Sequence, residues 1–145
     1  MKLKSLLIVM VLLIVEGCAT YRNDSLEKME ALPKHYAQFD VKMAWEVKSA
    51  QGSTVINGVV KNIRYFEMDQ LEIQVSSLDV TGKEVHRTVD FVNTLKENEA
   101  GAFTLTLPLL ASGSRIRFIY SYIGSDGGGG FSALSWMQSF ESEVP

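Results

Sequence analysis

From Phe39 onward the chain alternates apolar and polar residues with a period of two, and that rhythm leaves few folds open. Successive side chains of an extended strand point to opposite faces, so strict alternation makes one dry face and one wet one. Phe39, Val41, Met43, Trp45 and Val47 alternate with Asp40, Lys42, Ala44, Glu46 and Lys48. This predicts a strand whose first set faces a core. After a turn at Gly52, Thr54 to Lys61 reads as a second strand, with Ile56, Gly58 and Val60 on one face. Gly58 has no side chain and leaves room for a large neighbour to cross there. A third strand carries Leu71, Ile73 and Val75; a fourth, Glu84 to Val92, has Val85, Val89 and Phe91 as its apolar positions. Phe103, Leu105, Leu107 and Leu109 mark a fifth, and Ile116, Phe118, Tyr120 and Tyr122 a sixth. Ala133 to Glu141 is the last, with Leu134, Trp136, Gln138 and Phe140 on one face.

The connections carry turn chemistry. Asp79-Val80-Thr81-Gly82-Lys83 is a hairpin signal, with Gly82 supplying a positive φ. Ser112-Gly113-Ser114 turns the chain, and Gly124 to Gly130 is a glycine-rich loop. Seven short strands in about 100 residues are the count and spacing of an immunoglobulin-like antiparallel sandwich. No helix-period stretch interrupts them, which argues against an α/β fold. An eight-stranded barrel is the competing way to close such a sheet.

The N-terminus follows different rules. Met1-Lys2-Leu3-Lys4 is a short positive head, and Leu6 to Val15 is an unbroken apolar run. Ten residues span ~15 Å as a helix, about half the hydrocarbon thickness of a bilayer. That suits the apolar region of a secretory signal rather than a membrane span. The run ends in Val15-Glu16-Gly17-Cys18, and Cys18 is the one cysteine of the chain. This stretch resembles the lipobox of bacterial lipoproteins, with Glu16 departing from the usual small or apolar residue. The resemblance implies cleavage before Cys18, a diacylglyceryl group on its thiol and stable membrane anchoring through several acyl chains. Ala19 in second place implies sorting to the outer membrane, on its periplasmic face, rather than retention at the inner membrane.

These readings divide the chain into a lipoprotein signal peptide at 1–17, a tether at 18–38, an immunoglobulin-like sandwich at 39–141 and a tail at 142–145. Within the tether, Leu26, Met29 and Leu32 share a helical face, Asp24 or Ser25 is placed to cap it, and Pro33 would end it. The segment is short for an independent helix and reads as a spacer.

From Trp45 to Phe140 the chain also resembles the small immunoglobulin-like FxLYD domains of bacterial envelope proteins. Gly58-Val59-Val60-Lys61-Asn62 matches that family's second strand and following Asn. Val75-Ser76-Ser77-Leu78-Asp79 with Thr81-Gly82-Lys83 sits where its namesake motif and turn fall, and Leu95 to Phe103 matches the loop that opens its fifth strand. Of the signature letters, Asp79 is the one that matches well. The resemblance implies a fold and an envelope setting and supplies no catalytic residues.

Composition excludes several chemistries. A net charge of −3 gives no basic surface for nucleic acid. A single Cys excludes a disulfide framework or a cysteine-rich zinc site. His35 and His86 have no acidic or thiol partner at metal spacing, and no Gly-x-Ser-x-Gly elbow occurs. Glu67, Asp69 and Glu72 form an acidic group without the spacing of a calcium loop and read as a solvated rim. The four glycines Gly127 to Gly130 precede a strand rather than a helix and contain no Lys, unlike a phosphate loop. No cofactor or metal is expected, and no catalytic residue.

The aromatic residues divide in two. Trp45, Phe103, Phe118, Tyr120 and Trp136 occupy period-two positions and are expected in the core. Tyr65, Phe66 and Met68 lie in the polar stretch Asn62 to Gln70, where alternation does not prescribe burial. Exposed, they form a partner site; folded inward, they plug the end of the sandwich. The reading that follows is a lipid-anchored, non-catalytic binding or scaffold module. It would dock another envelope protein through loops or an open edge strand. The alternative is a small-ligand carrier with a pocket for a sugar or lipid in the β domain.

Overall fold

A computed structural model describes residues 27–125 and 134–145. Cys18, the stretch Val15 to Cys18 that resembles a lipobox, and Gly127 to Gly130, expected to be a loop, lie outside the described residues. The architecture is all-β, an immunoglobulin-like sandwich of two four-stranded antiparallel sheets. The strands are β1 (Lys34–Ala37), β2 (Val41–Ala50), β3 (Ser53–Asn62), β4 (Glu67–Leu78), β5 (Glu84–Val92), β6 (Ala100–Pro108), β7 (Arg115–Ser125) and β8 (Leu134–Glu143). One sheet has the order β1-β2-β3-β6 and the other β5-β4-β7-β8. In a constant-type immunoglobulin domain the strand after the central hairpin joins the first sheet; here β5 stays beside β4.

Among the described residues the count is eight rather than seven. The added strand, β1, comes from the stretch expected to be tether, and it pairs with β2 through Tyr36 opposite Met43 and His35 opposite Ala44. Residues 27–31 form a helical turn that lays Met29 and Leu32 on Ala44 and Val59, on the outer side of the first sheet. Of the expected helical face, Met29 and Leu32 are held by the sheet rather than by helix propensity, and Leu26 lies outside the described residues. At the other end the tail is tied in: Val144 is buried and exchanges backbone hydrogen bonds with Gly113 and Ser114.

Between the sheets lie Val41, Met43, Trp45, Ile56, Val60, Leu71, Ile73, Val75, Phe103, Leu105, Leu107, Ile116, Phe118 and Tyr120. These are the residues that alternation assigned inward. The hairpin at Asp79 is also as read: its Oδ1 accepts hydrogen bonds from Thr81 N, Thr81 Oγ1 and Lys83 N, and Gly82 takes φ 86°. The Thr81 hydroxyl leads the bonds that hold the Asp79 carboxyl below its usual range.

Three strands depart from the simple pattern. In β8, Leu134 and Trp136, both assigned inward, are exposed, because that end of the strand reaches past the facing sheet's core residues. In β4 the register shifts between Asp69 and Glu72, with Gln70 at φ 52°. This β-bulge lets Met68 and Leu71 both face inward although three positions apart. The strand therefore begins at Glu67, inside the segment expected to be loop. In β5 the apolar Val85, Val89 and Phe91 point to solvent and Val92 points inward. Asp90 shares the inward side, and its Oδ2 accepts a hydrogen bond from the Thr104 backbone N–H of β6 at 2.8 Å. An inward carboxylate at a sheet edge blunts that edge against pairing.

Candidate functional site: an arginine–aromatic loop over a buried carboxylate

The loop between β3 and β4 is built by Asn62. Its side-chain amide donates to the Phe66 carbonyl at 2.7 Å and the Leu95 carbonyl at 2.9 Å, while its Oδ1 accepts from Arg64 N at 2.8 Å. Its backbone N–H donates to Glu99 O, and its own carbonyl accepts from Asn98 N. One buried side chain thus pins the 63–66 loop to the 93–99 loop. This satisfies backbone groups that would otherwise be stranded at the end of the sandwich.

On that pinned loop Tyr65 is 74% exposed, and Phe66 is half-buried. Phe66 packs on Tyr122 and on bare Gly124, where a Cβ would meet its ring at 3.2 Å. Met68 is fully buried and bridges to Leu95. Of the three residues singled out as a partner site, then, Tyr65 faces solvent, Phe66 does so in part, and Met68 belongs to the core. The bulge at Gln70 is the reason for the last.

Arg64 is the residue that sequence reasoning missed. Its guanidinium carbon sits 5.6 Å from the Phe39 ring centroid, 5.4 Å from Tyr65 and 5.7 Å from Phe66. Cations at this range are attracted to the negative ring faces. Its Nε has no hydrogen-bond partner among the described residues. Phe39, expected in the core, is half exposed and meets Trp136 edge-on at 5.2 Å. Trp136 itself is 37% exposed. The only early sign of this cluster was three consecutive bulky residues, Arg64-Tyr65-Phe66, inside a polar stretch.

Below the loop lies a buried carboxylate. Asp40 accepts hydrogen bonds from Tyr120 Oη at 2.8 Å and Tyr122 Oη at 3.0 Å, and all three residues are shielded from water. Burial, the bond to Asp40 and its negative charge push the Tyr120 hydroxyl far above its ordinary range. Burial and the Asp40 charge do the same to Tyr122, against a smaller opposing pull from Arg64. Both phenols are therefore committed donors rather than acids at neutral pH. Asp40 also holds the loop through its carbonyl, which accepts from Ile63 N.

The remaining candidates do not converge. Asp69 accepts from Thr94 and Ser125 at the head of β4, whereas His86 is exposed on β5. Among the described residues no group of three or more His, Cys, Asp or Glu is placed to hold a metal ion. A shallow cleft of about 290 Å³ lies between β1 and β8, lined by Lys34, His35, Tyr36, Trp45, Phe140, Glu141 and Ser142. Of the core aromatic residues, Trp45 lines it, while Trp136 and Tyr120 do not.

No protein-family profile matches the chain. No curated protein matches it in sequence. Among solved structures, the GAE domain of GGA2p from Saccharomyces cerevisiae is similar at 9% identity, over 77% of this chain and 96% of that one, with a TM-score of 0.49. The C-terminal domain of wzt is similar at 12% identity, over 78% and 79%, with a TM-score of 0.46. Neither bears on function.

Proposed function

We propose that this chain is a lipid-anchored protein of the bacterial envelope whose β domain is a non-catalytic docking module. Cys18 would carry the anchor, with the outer membrane's periplasmic face as its setting. The docking surface is the Arg64–Tyr65–Phe66 loop with Phe39 beside it, and the partner is another envelope protein. The observation that carries this reading is the Arg64 cluster. An exposed Tyr65 beside a half-buried Arg64 on a rigidly pinned loop makes the kind of contact that concentrates binding energy at interfaces. Arg64 has aromatic rings but no carboxylate against it among the described residues. The partner would therefore present an Asp or Glu beside an apolar side chain, the carboxylate reaching the guanidinium and the apolar group covering Tyr65.

Two measurements in living cells test the two halves of the reading. Cys18→Ala is expected to move the protein from the membrane to soluble fractions; full retention on membranes would end the anchor reading. A photo-crosslinking amino acid in place of Tyr65 is expected to trap one envelope protein, and Arg64→Glu to abolish that product. A crosslink unchanged by Arg64→Glu, or none at all, would end the docking reading.

A further inference from the structure

Among the described residues three of the four sheet edges are guarded and one is not. β1 is four residues long and starts with Lys34. β6 ends in Pro108, and its Thr104 N–H is already taken by Asp90. β5 carries Glu84, His86, Arg87 and Asp90, and its pairing with β4 is broken by a register shift at Ser77/Leu78. Short length, Pro, charge, inward carboxylates and bulges are the means by which sheets avoid adding strands. β8 has none of them over Leu134 to Phe140. It pairs with β7 through ten consecutive residues without a shift. Those seven positions hold no charge, Pro or Gly. Leu134 and Met137 are 73% and 69% exposed. Among the described residues only the far end is covered, where Lys34 Nζ donates to the Glu143 carbonyl at 2.5 Å.

The open stretch is also a near-palindrome. Leu134-Ser135-Trp136-Met137-Gln138-Ser139-Phe140 reads apolar, Ser, large, Met, large, Ser, apolar about Met137. We infer that β8 is a self-pairing edge, joining two copies of this chain antiparallel about Met137 into one continuous eight-stranded sheet. In that register Met137 faces Met137 of the second copy, Ser135 faces Ser139, Trp136 faces Gln138 and Leu134 faces Phe140. Every pair has both members on the same face of the sheet, as antiparallel pairing requires. The surface is self-complementary, the condition for a two-fold interface. Glu141 and Glu143 fall outside the paired stretch, so no like charges meet.

The symmetry suits the N-terminal attachment. A two-fold axis perpendicular to the joined sheet keeps the outer face of both first sheets on one side. Residues 27–31 pack on that outer face. Both chains therefore run toward their N-termini from the same side of the dimer, and two tethers can reach one bilayer. This inference goes beyond the docking reading and stands apart from it, because it uses β8 rather than the Arg64 loop.

The test uses the full chain purified in detergent. Directly opposed residues of antiparallel strands have Cα atoms ~4.5–5.5 Å apart, inside the range a disulfide bridges. Met137→Cys is expected to give a reductant-sensitive dimer on mild oxidation. The wild-type chain, with Cys18 alone, and Thr106→Cys on the β6 edge are expected to give none. By sedimentation the wild type is expected to be dimeric. Met137→Lys, which sets two ammonium groups on the axis, is expected to weaken the dimer at least about tenfold without changing the far-ultraviolet spectrum. A monomeric wild type, a dimer indifferent to Met137→Lys, or equal crosslinking from Thr106→Cys would each overturn the inference. A crosslink from position 137 to a different protein in cells, with the purified chain monomeric, would assign the edge to a foreign strand and also overturn it. The Tyr65 crosslink is unaffected by any of these results.

Discussion

The Tyr120 hydroxyl donates to Asp40 Oδ1 at 2.8 Å in a part of the sandwich where neither residue meets water. A carboxylate in an apolar interior is stable only if hydrogen bonds replace its hydration. Tyr120 and Tyr122 supply two, from one strand, because residues two apart on β7 point the same way. The network fixes where β2 begins and, through the Asp40 carbonyl, where the Arg64 loop sits.

It also makes stability depend on alkaline pH. Both phenols have folded-state pKa values raised above the unfolded value of 10.0. Their contribution is complete below about pH 10 and lost as pH rises above it, because the unfolded chain gives up protons that the folded one retains. Between pH 10 and 11 the loss is about 1 kcal/mol per tyrosine. Urea titrations at pH 9, 10 and 11 should show this slope shrinking in Tyr120→Phe/Tyr122→Phe. An identical slope in that variant would refute the network's role. At pH 7 Tyr120→Phe alone should cost about 1.5–3 kcal/mol, the loss of a bond to a charged group.

Gly58 and Phe103 fit by absence. A Cβ at position 58 would lie 2.2 Å from the Phe103 ring and 2.8 Å from the Ala44 carbonyl. Gly58→Val should destabilise the domain by about 3 kcal/mol or more, since overpacking at a site bounded by backbone has no cheap relief. Phe103→Leu in the same chain should recover part of that loss, read as a coupling in a double-mutant cycle. Additive melting temperatures would mean that the ring is not the obstacle.

Asn62→Ala should cost about 1–3 kcal/mol by taking the side-chain donor from the Phe66 carbonyl and leaving the Leu95 carbonyl with the Met68 N–H alone. Hydrogen exchange is the sharper measure. Protection should fall at Asn98, whose N–H is donated to the Asn62 carbonyl, and at Met68 and Leu95, which pair across the same junction. Losses spread evenly over β2 and β3 instead would show general destabilisation, with no local pin.

How far these features were legible differs from residue to residue. Gly58 was read as a place where a large neighbour crosses, and Phe103 is that neighbour. The aspartate-led hairpin was complete in five letters, because its hydrogen bonds close within five residues. Met68 was not legible. A bulge is an extra residue in one strand relative to its partner, and a single strand carries no record of that partner. The outward turn of Val85, Val89 and Phe91 was hidden for a similar reason. At a sheet edge the inward position went to Asp90, which answers an N–H on the opposite sheet.

What the sequence determined alone is the class of fold and most of the core, since period-two alternation is a local property that each strand carries by itself. It also set the turns at Gly82 and Gly113, both at positive φ. Tertiary structure decided which strands sit side by side, that part of the apparent tether becomes β1, and that Arg64 is surrounded by rings from two separate segments. Those outcomes depend on pairings between residues far apart in the chain. They arise only when the two sheets close over Asp40 and Asn62 and bring their ends together.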